Sequence, residues 1–267
     1  MKKLAILFCF CVFLNFDGLG QDTLSVVAKE YFYKAFHSSN YKSQIENYTK
    51  CLELYPKHAK SHYNRGIAHY NLGNKKLAID DYTNAISINP EHAHSFYCRG
   101  LAYGDLGNLL QSIDDYSNAI KINPEYALAY FQKGNIYRDL GKYKLAIDNY
   151  SNSISIDKNN SSAYNNRGSI YKKLRKYKLA IEDFSKSILI NPDEANLYSR
   201  RGNIYYILGK YKLAIKDYSR AIEINPKNAS SYYNRGSAKW LLDLEHCSDF
   251  KMACNLGECK RYYTFCK

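Results

Sequence analysis

The side chains best suited to chemistry are cysteines and histidines. Cys247, Cys254, Cys259 and Cys266 crowd into the last 21 residues with the spacing C-x6-C-x4-C-x6-C. Cys247 with Cys266, and Cys254 with Cys259, share one midpoint, as in two antiparallel helices folded about Asn255-Leu256-Gly257-Glu258. Residues seven apart on a helix are separated by about 10.5 Å. That is too far for four thiolates to reach one tetrahedral zinc with bonds of about 2.3 Å. Two nested disulfides, Cys247–Cys266 and Cys254–Cys259, fit the spacing better, with a shared zinc as the alternative. The outer bridge would close about 20 residues, worth roughly 3 kcal/mol in the chain-entropy model. Cys51 and Cys98 are expected to be free thiols, Cys51 buried and inert.

His58, His62, His69, His92 and His94 are the nearest approach to a metal constellation. Their places at helix starts and links, and at one core position for His69, favour capping and surface roles. A metal-dependent factor or enzyme built on them is the rival reading. Downstream of residue 20 the chain has no HExxH, no GxSxG, no glycine-rich phosphate loop and no CxxC pair, so the usual zinc-protease, nucleophile-elbow and nucleotide machinery is missing. No catalytic residue, metal or cofactor is expected.

The elements that carry these residues are set by a period. Pro56, Pro90, Pro124, Pro192 and Pro226 are spaced 34, 34, 68 and 34 apart, with Lys158 standing where the missing proline is due. A fixed period of this length predicts stacked helical hairpins. Each unit has two apolar stripes at helical spacing, such as Ile79, Tyr82 and Ile86, separated by a Leu-Gly turn. Gly66, Gly100, Gly134, Gly168, Gly202 and Gly236 fall mid-helix, where glycine costs about 1 kcal/mol relative to alanine. The cost implies close helix approach, expected opposite the small residues Ala78, Ser112, Ala146, Ala180 and Ala214. Gly73, Gly107, Gly141 and Gly209 are expected in the left-handed conformation that ends the first helix. Arg175 breaks that series, predicting a weak turn. Arg65, Arg99, Arg167, Arg201 and Arg235 recur with Asp81, Asp115, Asp183, Asp217 and Asp249. In the fourth unit both members change together, to Lys133 and Asn149, which predicts a contact within each unit.

The units resemble the tetratricopeptide repeat (TPR) family over residues 25–255, on the evidence of Tyr63-Asn64-Arg65-Gly66, Leu72-Gly73, Ala78-Ile79-Asp80-Asp81-Tyr82 and Ile88-Asn89-Pro90. The looser Ala253-Cys254-Asn255-Leu256-Gly257 segment resembles endings of some exported bacterial members. The resemblance implies an all-α, right-handed superhelical solenoid of about six to seven units. It also implies a concave groove lined by the first helix of each unit. Carried over, the groove holds Tyr63, Tyr97, Phe131, Asn165, Ser199 and Tyr233 in one column. A second column holds Ile67, Leu101, Asn135, Ser169, Asn203 and Ser237. Aromatics where the chaperone-binding members place a clamp lysine argue against that mode. A peptide or protein ligand is the implied partner.

The organisation that follows is a cleavable export signal at 1–20, a degenerate capping repeat at 21–58, repeats at 59–92, 93–126, 127–160, 161–194 and 195–228, and a last repeat with a cysteine-stapled cap at 229–267. The signal is read from Lys2 and Lys3 before the apolar run Leu4 to Leu14, eleven residues being too few to span a bilayer. It predicts a secreted or periplasmic protein. Cleavage would remove two lysines and one aspartate, taking the formal charge from +13 to +12. A basic exported chain suits an acidic protein or anionic glycan as a secondary partner, which keeps a carbohydrate or cell-wall binder open as an alternative; nucleic acid is not expected.

Overall fold

A computed structural model describes residues 25–266 of the chain; the segment read as an export signal lies outside the described residues. Among the described residues there are fifteen helices and no strand. They pair as α1 (Val26–Phe36) with α2 (Tyr41–Leu54), α3 (Ala59–Asn71) with α4 (Lys75–Ile88), α5 (Ala93–Asp105) with α6 (Leu109–Ile122), and α7 (Ala127–Asp139) with α8 (Tyr143–Ile156). The series continues with α9 (Ser161–Lys173) and α10 (Tyr177–Ile190), α11 (Ala195–Ile207) and α12 (Tyr211–Ile224), α13 (Ala229–Trp240) and α14 (Cys247–Asn255), then α15 (Lys260–Phe265). Each pair packs on the next, giving seven hairpins in a solenoid.

The hairpin turns are built as the sequence implies. After α3 the Asn74 amide donates to the His69 carbonyl and the Gly73 amide to that of Tyr70, each at 2.9 Å, the pair of bonds that satisfies a helix C-terminus when the next residue is left-handed. Gly73, Gly107, Gly141 and Gly209 have φ of 82°, 81°, 72° and 69°. Arg175 occupies the same conformation at φ 57° and makes the same bonds. A side chain there costs about 1 kcal/mol. Asp243, in the last hairpin's turn, is also left-handed at φ 53°, which the sequence reading had not marked.

The mid-helix glycines correct one expectation. They do not chiefly face the small residues of the second helix. They face its large ring: a Cβ on Gly66 would lie 2.8 Å from Tyr82 Cε1, and one on Gly236 would lie 2.9 Å from Phe250. Small residues still approach some of them: the Ala180 carbonyl lies 3.4 Å from a Cβ on Gly168, and Ser112 donates to the Gly100 carbonyl at 2.6 Å. The alanines are buried nearby, while Tyr82, Tyr150, Phe184, Tyr218 and Phe250 fill the centre of each hairpin. In the first hairpin Phe32 stands in the glycine's place and packs on Tyr48 and His58.

The arginine and aspartate series does more than join two helices. Arg201 grips Asp217 with Nε and Nη2, at 2.9 and 2.8 Å, while its Nη1 donates at 2.8 Å to Ser185 in the preceding unit. Arg65, Arg99, Arg167 and Arg235 repeat this with Thr49, Thr83, Ser151 and Ser219. Most of these guanidiniums also lie against rings of their own helix, as Arg167 does between Tyr164 and Tyr171. In the fourth unit Lys133 keeps the bond backwards, to Ser117, while Asn149 turns to the Leu145 carbonyl. The substitution drops the link within the hairpin and retains the link between hairpins. An arginine row for ligand phosphates or carboxylates is thereby excluded, since the guanidiniums are committed.

At the C-terminus Cys247 pairs with Cys266 and Cys254 with Cys259, the nested arrangement. α15 has no buried residue and is held by these bridges and by Arg261. That guanidinium lies over Tyr233, Trp240 and Phe265 and donates from Nε to the Tyr233 hydroxyl at 2.9 Å. Trp240, the only tryptophan, stacks on Phe265 at 4.9 Å. Reduction should free α15 and shift Trp240 emission to the red, as should a C247S/C266S double variant without reductant. Unchanged emission in both would show that packing alone holds the cap.

Candidate functional site

The first helices of successive hairpins present the groove columns, and the structure divides them unequally. Tyr97 is only 3% exposed and packs on Tyr116 and Tyr126. It is a core residue, which corrects its assignment as a ligand contact. The cause is Tyr126, the first residue before α7, which closes over the ring. Tyr63 and Phe131 are half-buried against Tyr82 and Tyr150, and Ile67 and Leu101 pack on the same core. Tyr233 is engaged by Phe250 and Arg261. The apolar half of the groove is therefore largely committed to packing.

The polar half opens. A cavity of about 350 Å³ is lined by Asn196, Ser199, Arg200 and Asn203 of α11, by Lys172 of α9, and by Asn228, Ser230, Ser231 and Asn234 at α13. Its wall is amide and hydroxyl with two cations and no carboxylate. Asn203 is fixed from behind: its Oδ1 accepts from the Tyr218 hydroxyl at 2.7 Å and from Asn234 Nδ2 at 3.2 Å. Asn135 is held the same way by Tyr150 and Asn166, at 2.8 and 3.0 Å. With their carbonyl oxygens occupied, these amides are oriented by the core ring behind them. Arg200 donates to Ser169 at 2.8 Å, and Ser199 bonds Ser231. Asn165 differs, since its Oδ1 is buried and has no hydrogen-bond partner among the described residues; that oxygen offers nothing to a ligand here. Sequence reasoning found Asn203 through its column but missed Arg200, Asn234 and Lys172. Arg200 and Asn234 lie one residue beyond the first column, a neighbouring helical position that the repeat frame could have shown.

The histidines do not form a site. His58 and His92 bond Ser61 and Ser95 through Nδ1, each at 2.7 Å. His62 joins the Pro56 carbonyl at 2.9 Å and approaches Asp81. His58 stands at the N-cap of α3, the expected helix start, and it and His62 are buried where surface positions were also expected. Among the described residues one group has metal-ligand geometry, His246 with Cys247 and Cys266, and its two sulfurs are bonded to each other. The Cys51 thiol is pushed up by burial, as an inert thiol should be.

Burial pushes His58 and His92 down to about 4. The unfolded chain, with histidine near 6.5, then binds more protons than the fold between about pH 6.5 and about 4. Stability is complete above that window and falls as pH drops through it, by up to about 1.4 kcal/mol per pH unit for each histidine. Hydrogen exchange, corrected for its intrinsic rate, should show α3 and α5 losing protection relative to α11 between pH 7 and pH 5. An unchanged ratio would contradict the burial argument.

Comparison with known proteins agrees with the repeat. Family models described as TPR repeat match residues 134–175 and 202–243, and models described as tetratricopeptide repeat match 59–92, 161–194, 116–148 and 93–126. No curated protein matches the chain. Among solved structures, the C-terminal part of a TPR repeat-containing protein from Cytophaga hutchinsonii superposes with a TM-score of 0.72 at 20% identity, over 90% of this chain and 98% of that one. YrrB, described as a TPR protein with an unusual peptide-binding site, gives 0.61 at 18% identity, over 71% and 97%. MamA gives 0.58 at 24%, over 62% and 96%. At these identities the likeness is one of fold. With its period, its hairpin geometry and the family models in agreement, the chain belongs to the tetratricopeptide repeat family, whose helical solenoids serve as scaffolds for protein interaction.

Proposed function

We propose that the protein is an exported, non-catalytic scaffold that binds an extended peptide or protein segment along the face formed by its first helices. The observation that carries this reading is the cavity across α9, α11 and α13, whose wall of amides, hydroxyls and cations contains no nucleophile paired with a base. Backbone carbonyls and carboxylates are the groups such a wall takes up, with Asn203 and Asn234 held in fixed orientation and Lys172 and Arg200 supplying charge. YrrB's described peptide-binding site supports a peptide ligand by fold analogy alone. The half-buried rings of Tyr63 and Phe131 contribute at most their exposed edges.

A displayed library of random peptides, panned on the purified protein, should yield binders whose affinity drops at least about tenfold in an R200A/N234A variant, hydrogen bonds to charged groups being worth about 1.5–3 kcal/mol. Circular dichroism would confirm that the variant is folded. Selected peptides that bind the variant equally well would move the site elsewhere.

Export is supported by the basic and apolar segment from Lys2 to Leu14 and by the paired cysteines, which suit an oxidising compartment. The mature protein recovered outside the cytoplasm should begin at Gln21. Recovery of an uncleaved cytoplasmic chain with free Cys247 and Cys266 would end this part of the reading.

A further inference from the structure

The turns between the two helices of every hairpin lie along one edge of the solenoid, because successive first helices run parallel and each returns through a short loop. In three consecutive hairpins that edge carries the same tetrapeptide, Lys-Tyr-Lys-Leu, at 142–145, 176–179 and 210–213. It forms the N-cap and first turn of α8, α10 and α12. Both lysines are exposed in all three copies. So are the leucines: Leu145, Leu179 and Leu213 are 43%, 39% and 45% accessible, and the turn leucines Leu140, Leu174 and Leu208 are 42%, 41% and 41%. None of these leucines is among the buried residues of the core. Lys173 and Arg175 add to the charge in the second of these turns. Of the acids on this edge, Asp139 is paired with Arg138 and Asp105 with Lys75, and Asp243 and Glu245 lie exposed in the last turn, beyond the three copies. Asp148 and Glu182 lie one turn deeper, and the equivalent residue of the third copy is Lys216.

We propose that this edge is a docking surface for an anionic lipid bilayer. Each copy sets two ammonium groups and a tyrosine beside two outward leucines. At a membrane surface the lysines would meet headgroup phosphates while the leucines enter the acyl boundary. Charge complementarity selects the occupant: cations outnumber free acids along the three repeated turns, and negative lipid surfaces attract such clusters within a Debye length. The leucines stand exposed between the lysine pairs, and this alternation of cation and apolar side chain suits a deformable bilayer better than a folded acidic protein. The cavity across α9, α11 and α13 is lined mostly from the N-terminal halves of α11 and α13, with Lys172 alone reaching it from beside these turns, so edge-on docking leaves most of the peptide face open. The inference does not depend on the peptide reading.

The test is co-sedimentation of the purified full chain with phosphatidylcholine vesicles, with and without 30% phosphatidylglycerol (about a third of the lipid, enough for a negative surface). Two triple variants are run alongside, K144E/K178E/K212E and L145S/L179S/L213S, each confirmed folded by circular dichroism. Binding is expected only to the anionic vesicles, weakening with salt. The charge variant should lose at least about 100-fold and the leucine variant about tenfold. Absence of binding by the native chain at low salt would overturn the proposal. Loss in the charge variant with no effect in the leucine variant would overturn it in favour of an acidic macromolecule. Binding indifferent to both variants would assign membrane affinity to another part of the chain and overturn it equally.

Discussion

In each regular hairpin an aromatic ring of the second helix lies on a glycine of the first. The contact is so close that a single added carbon at Gly66, Gly100, Gly134, Gly202 or Gly236 would sit within about 3 Å of a ring atom. Protein interiors are packed too densely to absorb such an intrusion cheaply. The separation of the two helices is therefore fixed to within a fraction of an ångström, unit after unit. A solenoid propagates any local error along its length, since each repeat touches only its neighbours, so this contact carries a burden out of proportion to its size.

The same rings reach the functional face. Tyr150 and Tyr218 pass beside their glycines and end with their hydroxyls on Asn135 and Asn203. A core residue thereby orients a groove residue, and the amide's direction is bought with no extra element. Where the ring is phenylalanine, as at Phe184 and Phe250, the hydroxyl is lost and the groove position is serine, Ser169 or Ser237, bonded to its own helix. In the hairpins from α7 to α14 core and groove positions change together, whereas Tyr82 and Tyr116 stand in register with the aliphatic Ile67 and Leu101. The arginine stitches add a second constraint, between units: each guanidinium spans its own aspartate and a hydroxyl one repeat back, and at Lys133 only the backward bond survives. Retaining that bond when the other is lost fits a molecule whose shape depends on how hairpins stack.

The two ends illustrate opposite solutions to an uncovered apolar face. In the first hairpin Phe32 replaces the glycine and packs on the core ring Tyr48. At the C-terminus a six-residue helix too short to bury anything is fastened by disulfides and by a cation laid on three rings. Arg261 also bonds the Tyr233 hydroxyl, so the cap engages the last residue of the first column.

Period, hairpin turns, disulfide pairing and the arginine series were all legible in the sequence, because each follows from spacing along a regular helix. The left-handed turn at Arg175 could be read from its neighbours in register. What repeat spacing leaves open is which way a neighbouring side chain swings. Tyr97 occupies a groove position by register yet is buried, because Tyr126, at the N-cap of α7, covers it. The glycines' true partners were likewise settled by ring packing across the hairpin. Arg200 and Asn234 line the cavity because the stacking of α11 on α13 brings one residue beyond the predicted column into the opening. Local periodicity determines which residues share a helix face; only the contact between helices decides which of them are covered, since coverage depends on the size and angle of side chains contributed by another repeat.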